Sequence, residues 1–177
     1  VKKKTCVFIS GKGSNLRNLI SNSRDNNFPL KISLVISNNK KANGIIYAKK
    51  FKIPYILVNS KLKYYENKIL LSLKKYKINF ICLAGYMKII SNTLIKNYPR
   101  RIINIHPSLL PKFKGLNTFS RMLKNKEKKA GCTVHFVNKK LDGGNVIIQK
   151  KFLISNNDDE KILKRKTQKL EYKAFPE

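Results

Sequence analysis

Two residues with an obvious chemical use, Asn104 and His106, lie two positions apart in the stretch RIINIHPSLLP, residues 101–111. Side chains two apart on a strand point to the same face, so the amide and the imidazole are expected side by side. Pro107 and Pro111 restrict the backbone just after this strand. An amide donor beside an imidazole suits acyl-type chemistry, in which the amide holds a developing oxyanion and the imidazole transfers a proton. The alternative is a core histidine satisfied by its neighbours.

A third candidate is Asp142 in VHFVNKKLDGG, residues 134–144. Two glycines follow it, so its carboxylate can sit on an irregular loop that approaches the end of another strand. A carboxylate near a histidine favours the imidazolium form and can orient a water molecule. The alternative is an ordinary Asp-Gly turn. The second histidine, His135, lies among apolar residues of a presumed strand, and we interpret it as a structural or supporting residue.

A glycine-rich turn, SGKGSNL at residues 10–16, follows the first apolar run. It is not a dinucleotide-binding fingerprint, because Leu16 replaces the third glycine and no acidic residue ends the second strand. The Walker pattern is absent as well. Such a turn at a helix N-terminus can bind a phosphate through backbone N–H groups and the Ser14 hydroxyl. The alternative is a tight turn in which Ser14 or Asn15 caps the helix.

These motifs require a fold that brings strand ends together, and the alternation of short apolar runs with helix-like segments predicts one. Continuous apolar runs are typical of parallel strands covered on both faces. We therefore expect an α/β, Rossmann-like fold with a doubly wound, mostly parallel sheet and helices on both faces. Strands are predicted at 4–10, 31–37, 54–58, 79–85, 101–106, 131–137 and 145–154, and helices at 14–24, 43–51, 61–76 and from about 158.

The charge of the 177-residue chain is extreme, with 39 Lys and Arg against 9 Asp and Glu. Such a charge would suit nucleic acid or an anionic membrane as a partner. The lysines are scattered over every segment without one dominant basic block, and Lys, Asn and Ile all have A/T-rich codons. We interpret the charge as compositional drift and do not expect nucleic acid as a partner, although the positive field should attract phosphorylated or carboxylated small substrates.

Three cysteines, Cys6, Cys82 and Cys132, all lie in apolar stretches. An odd number without paired spacing argues against a disulfide framework and against a zinc site, so we expect reduced core residues and no metal. The N-terminal apolar run is too short for a signal peptide, and no stretch is long enough to span a bilayer. These features predict a cytoplasmic protein with no membrane partner.

Taken in order, ISGKGSNL, LAGYMKII, NIHPSLLPKFKG, GCTVHFV, LDGGNVIIQ and QKLEYKAFP resemble the phosphoribosylglycinamide formyltransferase family from the first strand to the end of the chain. The combination of NIHPSLLP with a downstream LDGG is typical of folate-dependent formyl transfer. The resemblance implies the formyltransferase fold and transfer of a formyl group from 10-formyltetrahydrofolate, as cosubstrate, to the amine of 5-phosphoribosylglycinamide in purine (IMP) biosynthesis. It also implies small-molecule substrates and no metal.

The resemblance further implies roles for particular residues. Asn104, protonated His106 and Asp142 would be catalytic, with Asp142 raising the pKa of His106. The implied binding residues are Gly13, Ser14 and Asn15 for the ribose phosphate; Gln168, Lys169, Leu170 and Glu171 for the glycinamide end; and Met87, Lys88, Ile89, Ile90, Asn104, Asn138, Lys139, Lys140, Leu141 and Asp142 for the folate.

Sister families offer alternatives. Methionyl-tRNA formyltransferase typically reads LDTGD in place of LDGG and carries a further C-terminal domain, and formyltetrahydrofolate deformylase has a His in place of Pro107. A non-catalytic relative that binds polyanions is a third possibility. Compared with the family pattern, this chain has Asn117 and Phe119 where histidines are frequent, and Leu62 where a folate-binding arginine is expected, which leaves Lys61 or Lys63 as substitutes.

The expected domain organisation is a single formyltransferase domain over residues 1–177. It would comprise a phosphate-binding half to about residue 100 and a catalytic half from about 101, with a C-terminal end shorter than that of relatives. A monomer or a homodimer is expected.

Overall fold

The computed structural model describes residues 1–177 as seven strands and six helices. The strands are β1 (Lys3–Ile9), β2 (Leu30–Ser37), β3 (Tyr55–Leu57), β4 (Phe80–Leu83), β5 (Ile102–His106), β6 (Lys129–Phe136) and β7 (Val146–Leu153). The helices are α1 (Ser14–Asn22), α2 (Ile45–Lys50), α3 (Tyr65–Lys75), α4 (Asn92–Asn97), α5 (Thr118–Lys124) and α6 (Glu160–Ala174). Every predicted strand and helix is present, whereas α4 and α5 were not predicted.

The seven strands form one sheet in the order β3-β2-β1-β4-β5-β6-β7. β1 pairs in parallel with β2 and β4, β2 pairs in parallel with β3, and β6 pairs antiparallel with β7. The predicted Rossmann-like, mostly parallel α/β fold is therefore confirmed. The strand order changes direction between β1 and β4, which is the kind of switch point where open sheets of this class form a ligand crevice.

The first of two compact units, Val1–Ile103, has its core in the parallel strands. The last five residues of β1 are buried in succession, as are the last four of β2. α1 buries Leu16, Leu19 and Ile20, a spacing that places one apolar stripe on the helix. Unbroken burial along β1 is possible only for a strand that is covered on both of its faces.

The second unit, Asn104–Glu177, contains β6, β7 and α6, which pack together. Residues 130–135 of β6 are buried without interruption, whereas exposed residues recur along β7, the edge strand of the sheet. α6 begins where the Asp159 carboxylate accepts a hydrogen bond from the Ile162 N–H at 2.7 Å. This side-chain cap satisfies one of the unpaired donors of the first turn, and Glu160 complements the positive helix end.

The three cysteines are free and buried, which confirms their interpretation as core residues. Burial raises the pKa of Cys82 to about 12, and burial together with the nearby Glu171 carboxylate raises that of Cys132 to about 12. None of the six helices has the length and apolar character needed to cross a lipid bilayer.

Candidate active site

Asn104 and His106 lie at the carboxyl end of β5, where β5 leads into the Pro107–Pro111 loop. His106 is 6% exposed and Asn104 is half-buried. Both side chains reach Asp142: Asn104 Nδ2 lies 3.5 Å from Oδ1, and His106 Nδ1 lies 3.3 Å from Oδ2. The structure therefore brings together the three side chains that the sequence singled out, called the trio below.

Asp142 occupies a turn between β6 and β7 and has a left-handed backbone conformation, with φ of 43°. Its Oδ2 atom accepts a hydrogen bond from the Gly115 N–H at 2.9 Å. Burial acts to raise the pKa of Asp142, but the hydrogen bonds with His135 and Gly115 and the interaction with His106 together lower it. The carboxylate is therefore ionised at neutral pH.

The orientation of His106 is set by Phe113, whose backbone carbonyl accepts a hydrogen bond from Nε2 at 2.9 Å. The proton of the neutral ring is thus on Nε2, and Nδ1 is the atom that faces the Asp142 carboxylate. In the neutral ring the lone pair of Nδ1 faces the Asp142 carboxylate and is repelled by its negative charge. When Nδ1 takes up a proton, the same contact becomes attractive. The geometry is that of a base ready to accept a proton at Nδ1.

The protonation state of His106 corrects one expectation. Burial lowers the pKa of His106 below its usual value of 6.5, and although the Phe113 hydrogen bond and the Asp142 charge act to raise it, the net direction is down. The Asp142 charge raises the pKa of His106, as expected, but the loss of hydration of the buried imidazolium lowers that pKa by more. The expectation of a protonated His106 is wrong for the resting protein.

His135, interpreted from the sequence as a structural or supporting residue, contacts two members of the trio. Its Nδ1 donates to the Phe136 carbonyl at 2.9 Å, while Nε2 lies 3.2 Å from Asn104 Nδ2 and 3.6 Å from Asp142 Oδ1. The neutral ring accepts a hydrogen bond from Asn104, and the protonated ring donates to Asp142. Its place on β6, the strand next to β5, is the sequence signal that could have located it.

The loop after His106 is held by a buried network that the sequence did not reveal. The Thr133 hydroxyl donates to the Ser108 carbonyl at 2.6 Å and accepts from the Leu110 N–H at 3.1 Å and from Gln149 Nε2 at 2.9 Å. Gln149 also donates to the Leu110 carbonyl, and the Ser108 hydroxyl donates to the Lys112 carbonyl. All the hydrogen-bonding capacity of Thr133 is used, so the loop that carries Phe113 has one defined path.

The LDGG turn depends on close backbone contacts. A Cβ atom on Gly144 would lie 1.7 Å from the Phe136 carbonyl oxygen, so only glycine fits there. Asn138 closes the turn on itself, since its Nδ2 donates to the Gly143 carbonyl and its Oδ1 accepts from the Lys140 N–H. Three other predicted folate contacts of this loop, Lys139, Lys140 and Leu141, are exposed.

The predicted phosphate turn lies in the first unit, where Gly13 is the N-cap of α1 with φ of 71°. A Cβ atom on Gly13 would lie 2.4 Å from the Gly44 Cα, so the turn can pack against α2 only through glycine. Ser14 and Asn15 are inside the helix rather than at its cap, and α1 begins with no side-chain cap and no acidic residue in its first turn. The N-terminal end of α1 is therefore suited to bind an anion.

The other predicted folate segment, Met87–Ile90, follows β4 in the first unit. The Met87 N–H donates to the Ser10 hydroxyl at 2.8 Å, which ties this segment to the end of β1. Met87 and Ile89 are 64% and 76% exposed, and Lys88 is exposed as well. Exposed apolar side chains at the carboxyl end of a parallel sheet are suited to an apolar ligand surface.

The four predicted glycinamide contacts lie on α6 and do not share one face. Gln168 and Glu171 are three residues apart and half-buried, so they lie on the same side of the helix. Lys169 is exposed, and Leu170 is half-buried. Gln168 and Glu171 are therefore the two that one ligand could contact together.

The departures from the family pattern also have defined positions. Asn117 is the left-handed N-cap of α5, with φ of 55°, a conformation that asparagine tolerates better than most residues. Lys61, Leu62 and Lys63 are all exposed in the loop before α3. No group of three or more His, Cys, Asp or Glu side chains is placed so that it could hold a metal ion.

Known proteins resemble the chain over nearly its whole length. The sequence model described as "Formyl transferase" matches residues 3–177. Phosphoribosylglycinamide formyltransferase of Haemophilus influenzae is 37% identical over 98% of this chain and 84% of the relative, and that of Bacillus subtilis is 36% identical over 98% and 91%. The human trifunctional purine biosynthetic protein adenosine-3 is 37% identical over 99% of this chain, which spans 18% of that protein.

Solved structures agree with the sequence relatives. Phosphoribosylglycinamide formyltransferase of Brucella melitensis superposes with a TM-score of 0.95 at 37% identity, over 99% of this chain and 93% of that one. The enzyme of Anaplasma phagocytophilum gives a TM-score of 0.94 at 36% identity, over 99% and 84%. The chain belongs to the formyl transferase family, and within it to the phosphoribosylglycinamide formyltransferases.

Proposed function

We propose that this protein transfers the formyl group of 10-formyltetrahydrofolate to the amine of 5-phosphoribosylglycinamide, a step of purine biosynthesis. The relatives named above support the reaction. The observation that carries its assignment to particular residues is the contact between His106 Nδ1 and the ionised Asp142, beside Asn104 at the end of β5.

In the proposed mechanism, the substrate amine attacks the formyl carbon and the carbonyl oxygen becomes an oxyanion. Neutral His106 accepts the proton of the attacking nitrogen at Nδ1, and Asp142 stabilises the imidazolium that forms. The proton then passes to the folate nitrogen as its bond to the formyl carbon breaks, and the carbonyl re-forms. The products are tetrahydrofolate and the formylated amine.

Asn104 is the proposed donor to the oxyanion. In the resting site its amide hydrogens are directed at His135 Nε2 and Asp142 Oδ1, at 3.2 and 3.5 Å. The second contact is at the outer limit for a hydrogen bond, so this hydrogen can turn toward a stronger acceptor at little cost. A developing oxyanion is such an acceptor.

Binding residues for both substrates are proposed in each of the two units. In the first unit, the helix end at Gly13, Ser14 and Asn15 binds the substrate phosphate, and Met87–Ile90 provides apolar surface for the folate. In the second unit, Gln168 and Glu171 contact the glycinamide end, and the Asn138–Asp142 loop contacts the folate. The carboxylate and imidazole carry the proton steps, so the mechanism uses no metal.

Formylation of methionyl-tRNA is the second candidate, because a net charge of +30 would suit a polyanionic substrate. The LDGG turn favours the mononucleotide. A side chain at position 143, such as the threonine of LDTGD, would place its Cβ 2.8 Å from the Lys140 Cβ. A cytoplasmic location, a monomeric or homodimeric state and the absence of a nucleic-acid partner stay predictions.

The test is a folate-dependent formylation assay with phosphoribosylglycinamide and methionyl-tRNA side by side, over a range of salt concentrations. We expect turnover of the mononucleotide with a shallow salt dependence, since binding through many phosphates weakens steeply with salt. Turnover of methionyl-tRNA alone would show that the protein is a methionyl-tRNA formyltransferase, the second candidate. Tight, salt-sensitive RNA binding without turnover would indicate a non-catalytic relative.

A further inference from the structure

A concave site lies in the second unit and is lined in part by the loop that holds His106 in place. It is a cavity of about 510 Å³, within the range of small-molecule sites. Its apolar lining comes from Leu109, Pro111, Phe113 and Met122. None of these residues belongs to the trio or to the predicted substrate and folate contacts, so the cavity is distinct from the candidate active site.

The rim of the cavity is positively charged. Glu127 is the one acidic residue of the lining, and its carboxylate already pairs with Lys112 Nζ at 2.9 Å. Three further lining lysines, Lys126, Lys128 and Lys129, have no acidic partner there. An apolar floor with unpaired cations at the rim is complementary to an organic anion whose body is apolar.

Because lysine is common throughout the chain, charge alone does not distinguish this cavity; its connection to His106 does. Phe113 lines the cavity, and its carbonyl oxygen is the acceptor for His106 Nε2. The preceding lining residue, Lys112, is tied by its own carbonyl to the Ser108 hydroxyl at 2.6 Å. One short loop therefore both lines the cavity and holds the imidazole.

Phe113 is the point at which a ligand would act on this loop. Its ring is 5.5 Å from the Arg121 guanidinium, and its backbone has a φ of 56°. The Ser108 hydroxyl holds the Lys112 carbonyl on one side of Phe113, and Arg121 and Asp142 hold the Lys114 carbonyl and the Gly115 N–H on the other. The Phe113 carbonyl between them has His106 as its hydrogen-bond partner. A ligand that displaces the Phe113 ring would therefore act first on the 113 carbonyl and rotate it away from Nε2.

We propose that this cavity binds a small organic anion with an apolar body, and that its occupancy weakens the hydrogen bond between His106 and the Phe113 carbonyl. The site would be regulatory, since it lies outside the trio and acts on the trio through one backbone group. Binding and the change at His106 do not depend on the proposed function; only the resulting fall in formyl transfer rests on it.

The probe is the anionic dye anilinonaphthalene sulfonate, whose fluorescence rises on transfer to an apolar site, with uncharged phenylnaphthylamine as the matched ligand. The chain has two histidines, so NMR of histidine-labelled protein follows the Nε2–H signal of His106 with His135 as internal reference. The cavity variants are Lys128→Gln/Lys129→Gln, which leaves the core unchanged, and Met122→Trp, which fills the floor. Lys124→Gln on α5 is the control for charge, because it does not line the cavity.

We expect saturable binding of one anionic dye molecule, weaker binding of the uncharged ligand, and a shift of the His106 signal that follows occupancy. The double lysine variant should weaken dye binding about fivefold, as expected for two exposed charges, while Lys124→Gln should not. The absence of saturable binding, equal binding to the wild type and both cavity variants, or an unchanged His106 signal at saturation would overturn the proposal. These results do not require catalytic activity, so they are independent of the formylation assay.

Discussion

His106 Nε2 donates to the Phe113 carbonyl at 2.9 Å, and this single hydrogen bond leaves Nδ1 as the nitrogen that faces Asp142. The ring cannot exchange the roles of its two nitrogens without breaking that bond. Proton transfer at this site is therefore confined to Nδ1. Its distance of 3.3 Å to the Asp142 carboxylate is longer than the 2.9 Å between Nε2 and the Phe113 carbonyl.

Replacement of His106 by alanine should remove most activity while both substrates still bind. The imidazole is placed for a transition-state role, so kcat should fall about a hundredfold or more, as is usual for a positioned acid or base. Single-turnover kinetics and equilibrium binding measure the two effects separately. Turnover near the wild-type rate in a folded variant would contradict the mechanism.

Asp142→Asn changes one charge and almost no volume. The Asp142 charge acts to raise the pKa of His106, so its loss should lower that pKa further and weaken the base. Activity should fall at every pH, and the residual optimum should move toward acid. A pH–rate profile with an NMR titration of His106 measures this. If Asp142 only forms an Asp-Gly turn, the asparagine variant should keep full activity and an unchanged titration.

Protein stability should fall on acidification because of His106. Its folded-state pKa is lowered, so below about pH 6.5 the unfolded chain binds a proton that the folded protein does not. The free energy of unfolding should therefore decrease as the pH drops below 6.5. In His106→Gln this decrease should be smaller, whereas the loss near pH 4 from carboxylates such as Asp142 should remain. Equal pH profiles in urea unfolding experiments would exclude a buried neutral His106.

Thr133→Val keeps the shape of the side chain and removes the hydroxyl that joins Ser108, Leu110 and Gln149. Leaving such buried groups without partners should destabilise the protein by roughly 2–3 kcal/mol. Because the loop carries Phe113, kcat should also fall while the KM values change little, and the His106 titration should shift. Thr133→Ser retains the hydroxyl and should restore both. A variant that is only less stable, with normal kcat, would show that the network does not position His106.

Ser14→Pro tests the phosphate turn, because Ser14 is the first residue of α1, a helix position where proline is frequent. Proline removes one N–H donor at the helix end. The KM for the phosphorylated substrate should rise much more than the KM for the folate. Ser14→Ala keeps the N–H and serves as the control for the hydroxyl alone. Equal increases in both KM values would argue against phosphate binding at this turn.

The sequence was informative wherever a property depends on neighbours along the chain. Continuous apolar runs such as that of β1 indicated the parallel strands, and the two-residue spacing placed Asn104 and His106 on one face. α4 and α5 were not predicted, and each has only six or seven residues, too few to show a full amphipathic period; α2 is equally short but was predicted.

Lateral neighbours were harder to predict. Thr133, His135 and Gln149 contact the site from adjacent strands, and their roles depend on register, which the sequence pattern leaves open. The protonation state of His106 was predicted wrongly because it depends on the balance between burial and one charge. That balance can be evaluated only when both the depth of the ring and its distance from Asp142 are known.

The two groups that hold the His106 ring, the Phe113 carbonyl and the Asp142 carboxylate, both belong to residues with a left-handed backbone, at φ of 56° and 43°. This conformation costs a residue with a side chain roughly 1–2 kcal/mol relative to glycine. The strain at 113 can be relieved by glycine, because the partner of His106 there is a backbone atom. The strain at 142 cannot, because the partner is the side chain itself. Selection for thermostability would therefore meet a trade-off with catalysis at position 142 that it does not meet at position 113.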